Sequence, residues 1–435
     1  MNWEEKYANK ILSPEEVMSK AIQSGQKIFI TGNASTPTPL LQPLADRALE
    51  LQDLEASMVL AFGDMPIVAE GMEKHIKVNA LFMGQNVRDA VSKGRADYTP
   101  VFLSEIPELY KTDPSLRPDV AIIQVSPPDE HGFCSFGCEV GISKPAAQVA
   151  KIVIAEVNDR MPRSLGDSFI NANRITYMVP TNRNLPEVIQ GTIDPTSQKI
   201  AENISSELIK DGDTLQLGIG AIADGVLKSG VNDKRDLGIH SEMFSDGVVK
   251  LLEDGVITND KKSLHPGKII AGFFFGSKKL FDFVHNNPIF EMHPTDYVND
   301  PFVIAQNDNM VAINGAIEVD LTGQVCSDSI GQRFYSGIGG QVDFIRGAAR
   351  SKNGRPIIAL PSTAKNGTVS KIVPTLKPGA GVVTSRGDVH YVATEFGIAK
   401  LHGKSIRERV KALIAIAHPN FQDELAVYAK KYNMI

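Results

Sequence analysis

The sequence predicts two similar open α/β domains, and three observations carry that expectation. Short apolar runs alternate with helical stretches along all 435 residues, the rhythm of parallel sheet covered by helices on both faces. The rhythm restarts midway: Gly212 follows Gly25 by 187 positions and Gly218 follows Gly32 by 186, each pair bracketing a strand-like run. A second landmark repeats at a similar offset, Asp129-x-x-Gly132 recurring as Asp320-x-x-Gly323, 191 positions on. Two independent landmarks at nearly one spacing argue for a duplicated architecture, and the length exceeds one typical core.

In chain order, Ser13-Pro14-Glu15-Glu16 reads as a helix start, with Ser as cap and Pro in the first turn, and Gly25 as the stop. The strand 27–30 leads through Gly32-Asn33-Ala34-Ser35-Thr36-Pro37 into a helix over 40–51. Residues 56–61, 77–82, 99–103, 120–125 and 151–157 read as buried strands. The stretch 177–195 is rich in Pro, Asn and Gly and only weakly periodic, which places the domain boundary there, giving domains over 1–185 and 186–435. In the second half, 205–210 is helical and 214–217 and 237–240 are strands. The apolar run 269–275 reads as one buried strand. Residues 405–435 read as helix, with Ile406, Val410, Leu413 and Ile414 on one face.

Composition excludes several classes. A net charge of −6 leaves no electrostatic footprint for nucleic acid or an anionic membrane. The N-terminal stretch MNWEEKYANKILSPEE has early acids and no apolar core, so it does not read as a signal peptide. The run 269–275 is far short of a membrane span. Three cysteines cannot all pair and suit a reducing, cytoplasmic setting. His131, Cys134 and Cys138 follow no zinc spacing, so they read as ordinary residues and no metal site is expected.

The chemistry concentrates between Leu215 and Gly247. There a strand, a glycine turn and a helix start offer backbone N–H groups to an anion, and a second strand delivers Glu242 beside them. Two readings of the turn stand on residues alone. Gly218-Ile219-Gly220-Ala221-Ile222-Ala223 satisfies the dinucleotide pattern G-x-G-x-x-G/A, with Glu242 24 positions on as a ribose ligand, the mark of an NAD(P)-binding oxidoreductase. Against it, two more loops follow strand-like runs: Ser336-Gly337-Ile338-Gly339-Gly340-Gln341, and 361–367 with Lys365 among small residues. Three such loops suit a long phosphate-bearing ligand with a narrow arm. Gln85, in Gly84-Gln85-Asn86, is a candidate side-chain donor from the first domain. Asp246 reads as a helix cap, and Glu130-His131 as a polar turn.

The quoted motifs also carry a resemblance. VSPPDEHGFCSFG (from Val125), IAEVNDRMPRSLGDSFI (from Ile154), LGIGAIADGVL, LGIHSEMFSDG, MVAINGAIEVDLTGQVCSDSIG, SGIGGQVDFIRGA and TSRGDVHYVATEFGIAKLHGKS (from Thr384) resemble the acetyl-CoA hydrolase/transferase family of class I CoA-transferases. The similarity is greatest to the 4-hydroxybutyrate and butyrate CoA-transferases. The resemblance implies two α/β domains with the active site between them and a catalytic glutamate at Glu242. It also implies coenzyme A contacts at Ile219, Gly220, Ala221, Ile222, Ala223, Ile317, Gly340 and Lys365. Gly339 and Gly340 are candidate oxyanion donors, with Gln85 a further candidate. The implied activity moves CoA between an acyl-CoA and a small carboxylate, such as acetyl-CoA with 4-hydroxybutyrate or butyrate, through a γ-glutamyl-CoA thioester on Glu242. An acyl-CoA hydrolase on the same scaffold is the alternative. CoA and acyl-CoA enter as substrates, with no tightly bound cofactor, and a homodimer is implied. The chain departs from the group at Asn33, where His is common, which leaves the acyl preference open.

Overall fold

Seven strands build the first sheet of this computed structural model, which describes residues 2–189 and 191–435. They are β1 (Lys27–Ile30), β2 (Leu54–Val59), β3 (Ile76–Phe82), β4 (Ala96–Tyr98), β5 (Val120–Val125), β6 (Ile152–Asn158) and β7 (Tyr177–Thr181). Their order is β4-β3-β2-β1-β5-β6-β7, with every neighbour parallel. All six residues of β5 are buried, as a central parallel strand covered on both faces requires. The helices of this unit include α1 (Pro14–Ala21), α2 (Thr38–Ala48), α3 (Gln85–Ser92) and α4 (Ser143–Val149). Ser13 closes a capping box on α1: its hydroxyl accepts from the Glu16 N–H at 3.2 Å, and Glu16 accepts from the Ser13 N–H at 3.0 Å.

The second sheet comprises β8 (Thr214–Leu217), β9 (Gly238–Ile239), β10 (Met310–Gly315), β11 (Arg355–Ala359), β12 (Tyr391–Thr394) and β13 (Gly397–Lys400), in the order β9-β8-β10-β11-β12-β13. Only β12–β13 is antiparallel. Its helices include α5 (Pro195–Leu208), α6 (Ala221–Gly225), α7 (Gly247–Glu253), α8 (Pro301–Ile304), α9 (Gln341–Arg350), α10 (Ile406–Ala415) and α11 (Pro419–Lys431).

The duplication is real at two levels. The run β2-β1-β5-β6-β7 of one sheet has the same connectivity as β9-β8-β10-β11-β12 of the other. The repeated Asp-x-x-Gly turns share their hydrogen bonds. Asp129 Oδ1 accepts from the N–H groups of His131 and Phe133, as Asp320 Oδ1 does from Thr322 and Gln324. Gly132 and Gly323 each donate to the Asp carbonyl at 2.9 Å, with φ of 84° and 95°, a left-handed backbone that glycine adopts without penalty.

Four expectations need correcting. The chain divides into two units, Met1–Ile189 with Ile270–Val298 and Gln190–Ile269 with Asn299–Ile435, so a single boundary near 185 leaves 270–298 on the wrong side. That segment is tied to the first unit by backbone: the N–H groups of Val140 and Gly141 donate to Gly272, and Asp167 and Met292 N–H donate to Met292 and Leu165 carbonyls. The run 269–275 is two short strands broken at Gly272, Ile269–Ala271 and Phe273–Phe274. Residues 99–103 form no strand. β4 ends at Tyr98, the Thr99 N–H makes one more bond to β3 at the Ala80 carbonyl, and a 3₁₀ turn follows over Leu103–Glu105. Pro419 divides the C-terminal helix in two; Val410 and Leu413 are buried, whereas Ile406 is exposed. Met1 and Gln190, within the N-terminal and boundary stretches, lie outside the described residues. No helix among the described residues is long and apolar enough to cross a membrane.

Candidate active site

The chain runs from β8 to β9 on one side of β8, while β10 pairs on the other. β8/β10 is therefore a topological switch point, where the carboxyl ends of parallel strands part and leave a crevice. The crevice is there: a cleft of about 220 Å³ lined by Gly218, Ile219, Gly220, Ala221, Ile222, Ala223, segment 313–316, Ala359 and Pro361, with Ser197 at one side. Gly218 N–H donates to the Ile313 carbonyl at 3.1 Å, and below it Gln216 and Asn314 pair amide to amide at 2.9 Å. Gly220 has φ 124° with nothing within 4 Å of an added Cβ, so glycine is there for its backbone and not for space. Ile219 stands 55% exposed at the tip.

Glu242 is held beside this turn by its neighbours. The Ser241 hydroxyl donates to the Leu217 carbonyl and accepts from the Leu217 N–H, both at 3.3 Å, and His240 N–H donates to Leu215. The His240 ring lies edge-on to Phe344 of α9, 6.2 Å between centroids, and meets Asn307 Nδ2 at 3.2 Å. The carboxylate itself accepts from Asn299 Nδ2 at 3.0 Å and from the backbone N–H of Gly340, which caps α9. An added Cβ on Gly340 would fall on Glu242 Oε2 and Asn299 Nδ2, so this glycine is there for space; its φ of −95° suits any residue. Asn299, 57 positions from Glu242 and fully buried, was not singled out by sequence. Only the Asn-Asp-Pro start of α8 hints at a fixed polar residue there.

Burial pushes the Glu242 carboxyl up to about 7, against the pull of Asn299 and Gly340. Desolvation disfavours the anion, so near neutrality the group divides between acid and carboxylate. If the carboxylate is the reacting form, kcat/KM rises as pH passes upward through about 7 and levels off above it. A rate profile from about pH 5.5 to about 8.5 measures this; a flat profile across that range contradicts it.

The other candidates distribute as follows. Gly339 has φ 60° and with Gly340 leads into α9. Ile317 is half-buried and its N–H donates to Cys326 at 2.9 Å, one residue beyond the Ala316 wall of the cleft. Lys365 stands exposed in the tip of a hairpin between Thr363–Ala364 and Val369–Ser370. Gln85, exposed at the start of α3 in the first unit, lines a cavity of about 680 Å³ with Phe62, Gly84, Asn86 and Pro186. Asn33 is buried with φ 43°. Asp246 precedes α7 without a side-chain cap bond. Glu130 and His131 are exposed in the turn organised by Asp129. The three cysteines are free and buried, and no group of metal-ligating side chains exists among the described residues.

The geometry defines an α/β protein with a switch-point cleft and, on the adjoining segment, a carboxylate braced by Asn299 and Gly340. The family follows from comparison. Residues 1–190 match the acetyl-CoA hydrolase/transferase N-terminal domain and residues 276–429 its C-terminal domain, and the chain belongs to that family. It is 52% identical over 431 residues to the 4-hydroxybutyrate coenzyme A transferase of Clostridium kluyveri, covering 99% of this chain and 100% of that protein. It superposes on a 4-hydroxybutyrate CoA-transferase from Porphyromonas gingivalis at a TM-score of 0.84, with 40% identity over 99% and 100% of the two chains. RipA from Yersinia pestis gives a TM-score of 0.92, with 36% identity over the full length of both. The family supersedes the dinucleotide reading, and the geometry agrees: α6 is only five residues long before a π-helical turn over Val226–Gly230, and the Glu242 carboxylate is engaged by Asn299 and Gly340.

Proposed function

We propose that the chain is a CoA-transferase that moves CoA between an acyl-CoA and a short carboxylate, with Glu242 as the covalent carrier. The observation that supports it most directly is the Glu242 carboxylate held by Asn299 and Gly340, next in the chain to Ser241, which is bonded to Leu217 at the foot of the glycine turn. A carboxylate in water is a poor nucleophile because it is well hydrated. In a confined recess it exchanges water for fixed donors and gains proximity to a bound thioester. A Glu242 oxygen attacks the acyl-CoA carbonyl, and the CoA thiolate leaves a mixed anhydride. The thiolate then attacks the glutamyl carbonyl, releasing the first acid as its carboxylate and leaving the γ-glutamyl-CoA thioester. An incoming carboxylate reverses both steps, restoring Glu242 and carrying CoA away as the new thioester. Each attack puts negative charge on a carbonyl oxygen, and the Gly340 and Gly339 N–H groups are the proposed donors to it. The CoA arm is assigned to Ile219, Gly220, Ala221, Ile222, Ala223 and Ile317, with Lys365 for phosphate, and Gln85 to the acyl side.

The acids that we propose are acetate and 4-hydroxybutyrate or butyrate, after the names of the relatives, in a cytoplasmic homodimer. One experiment tests the chemistry. The protein is incubated with acetyl-CoA, treated with borohydride, and digested for mass spectrometry; a γ-glutamyl thioester is reduced to a primary alcohol at Glu242. Unmodified Glu242 with full activity after treatment would sink the carrier reading. CoA release is then followed with and without each acid: release that needs no acid is hydrolysis, and release that requires one identifies the acceptor.

A further inference from the structure

Lys371, which the sequence reading passed over, ties together the two loops that form one wall of the cleft. Those loops follow the neighbouring strands β10 and β11, and Ala316 and Pro361 are their lining residues. The Lys371 N–H donates to the Ser362 carbonyl at 2.8 Å and its carbonyl accepts from Val319 at 2.9 Å. Its ammonium donates to the Ala316 carbonyl at 3.1 Å. Ser362 is itself fixed, its N–H and hydroxyl donating to Glu395 at 2.9 and 2.6 Å. Glu318, the other carboxylate near Lys371, takes the Lys377 N–H at 2.8 Å and its ammonium at 3.2 Å. Burial pulls the Lys371 ammonium down to about 8, with Glu395 and Glu318 opposing. A part-buried ammonium that donates to a backbone carbonyl is a costly way to brace an ordinary loop. Here the braced loop is the cleft wall. Lys365, by contrast, sits exposed on its hairpin.

We propose that Lys371 is a positioning residue for the coenzyme: by holding the Ala316 carbonyl against the Ser362 segment, it fixes the cleft wall and sets the affinity for CoA thioesters. The inference rests on the cleft being the CoA site. It is tested on the full chain with Lys371→Met, Lys371→Gln (too short to reach Ala316, and polar enough to serve if Met does not fold) and Lys371→Arg. Steady-state kinetics with acetyl-CoA and then the acid varied are combined with calorimetric titration of free CoA. Losing a charge-assisted hydrogen bond should raise KM for acetyl-CoA and Kd for CoA about tenfold in the Met and Gln variants. The kcat and the KM for the acid should stay within about twofold, and Arg should recover most of the affinity. An unchanged Kd in folded Met or Gln variants, or a loss confined to kcat, overturns the inference alone. No CoA binding by the wild-type protein overturns the CoA reading and this inference with it.

Discussion

Replacing Glu242 with Gln is expected to lower CoA transfer by at least about 10⁴-fold, because the amide cannot form the anhydride and the route through the covalent carrier is lost. The substitution is a clean one. The Gln carbonyl oxygen can take the place of Glu242 Oε2 and still accept from Asn299 Nδ2. Stability should not suffer. The folded carboxyl, at about 7, lies above its unfolded value, so the stability it contributes is complete below the unfolded value and is lost as pH rises towards 7. Above that pH the wild-type protein carries a disfavoured anion and the Gln variant does not. The expected pattern is an inactive variant that melts no lower than wild type near pH 8, assayed by thermal unfolding beside transfer rates. Glu242→Asp sets the carboxylate back by one methylene, and a displacement of that order costs about 10²-fold. A Gln variant that retains a tenth of the wild-type rate would remove Glu242 from the reaction.

The two sheets are similar, but their glycine-turn corners are built differently. After β1, the equivalent turn is filled. The Thr36 carbonyl accepts from Gln124 Nε2 at 3.2 Å and Arg183 Nη2 at 2.8 Å. Arg183 pairs with buried Glu156 at 2.6 Å, and Asn158 Nδ2 donates to Gln124 at 3.0 Å. After β8, the corresponding corner carries Gly315 and Ala316 and stays a cleft. The helix starts diverge in the same way. At α4 the N–H groups of Ile142 and Ser143 donate to Glu139, at 2.8 and 2.9 Å, so the carboxylate comes from the preceding turn of the same segment. At α9 the carboxylate near the corresponding position is Glu242, brought from the segment that follows β9. One half satisfies its helix start from within the segment; the other takes a carboxylate from elsewhere in the chain, the one proposed above as the carrier.

What the sequence made legible follows from this. β1 and β8 could be placed within a residue because their apolar runs end at glycine turns, β5 because its run ends at Ser126-Pro127-Pro128, and Ser13-Pro14 declared a helix start through local hydrogen bonds. The Asp-x-x-Gly repeat was visible because its turn is built within five residues. Glu242, Gly340 and the 218–223 turn stand out in the sequence because each lies in a short, chemically distinctive motif. Asn299 and Lys371 were not, since each acts on a partner more than fifty positions away and no local spacing marks the pairing. The return of 270–298 to the first unit was missed for the same reason: its ties are backbone bonds to Gly141 and Leu165, which any sequence can make. Lys365 stands out in the sequence because small neighbours suggest a phosphate loop, whereas nothing local marks Lys371, which only its burial distinguishes.

Gly340→Ala separates the two uses of glycine at this site. At φ −95° and ψ 9° alanine pays no conformational penalty, so backbone preference predicts only the modest cost of alanine at a helix cap. Sterics predict a larger one, because the new methyl would occupy the place of Glu242 Oε2 and Asn299 Nδ2. The carboxylate must swing away from the N–H that holds it. Transfer is expected to fall about 10²- to 10³-fold, the size of a lost oxyanion donor or a nucleophile displaced by about an ångström. Overpacking should lower stability by about 1 to 3 kcal/mol. The pairing with Glu242 is tested by a double-mutant cycle: in a Glu242→Ala background the clash with the carboxylate is gone, and Gly340→Ala should then destabilise much less. Strict additivity would mean that the methyl acts through Asn299 rather than Glu242. Gly220→Ala is the contrasting control, for nothing lies within 4 Å of its Cβ while φ 124° disfavours any side chain. Its loss should appear chiefly as a weaker CoA Kd, with the pH dependence set by Glu242 unchanged.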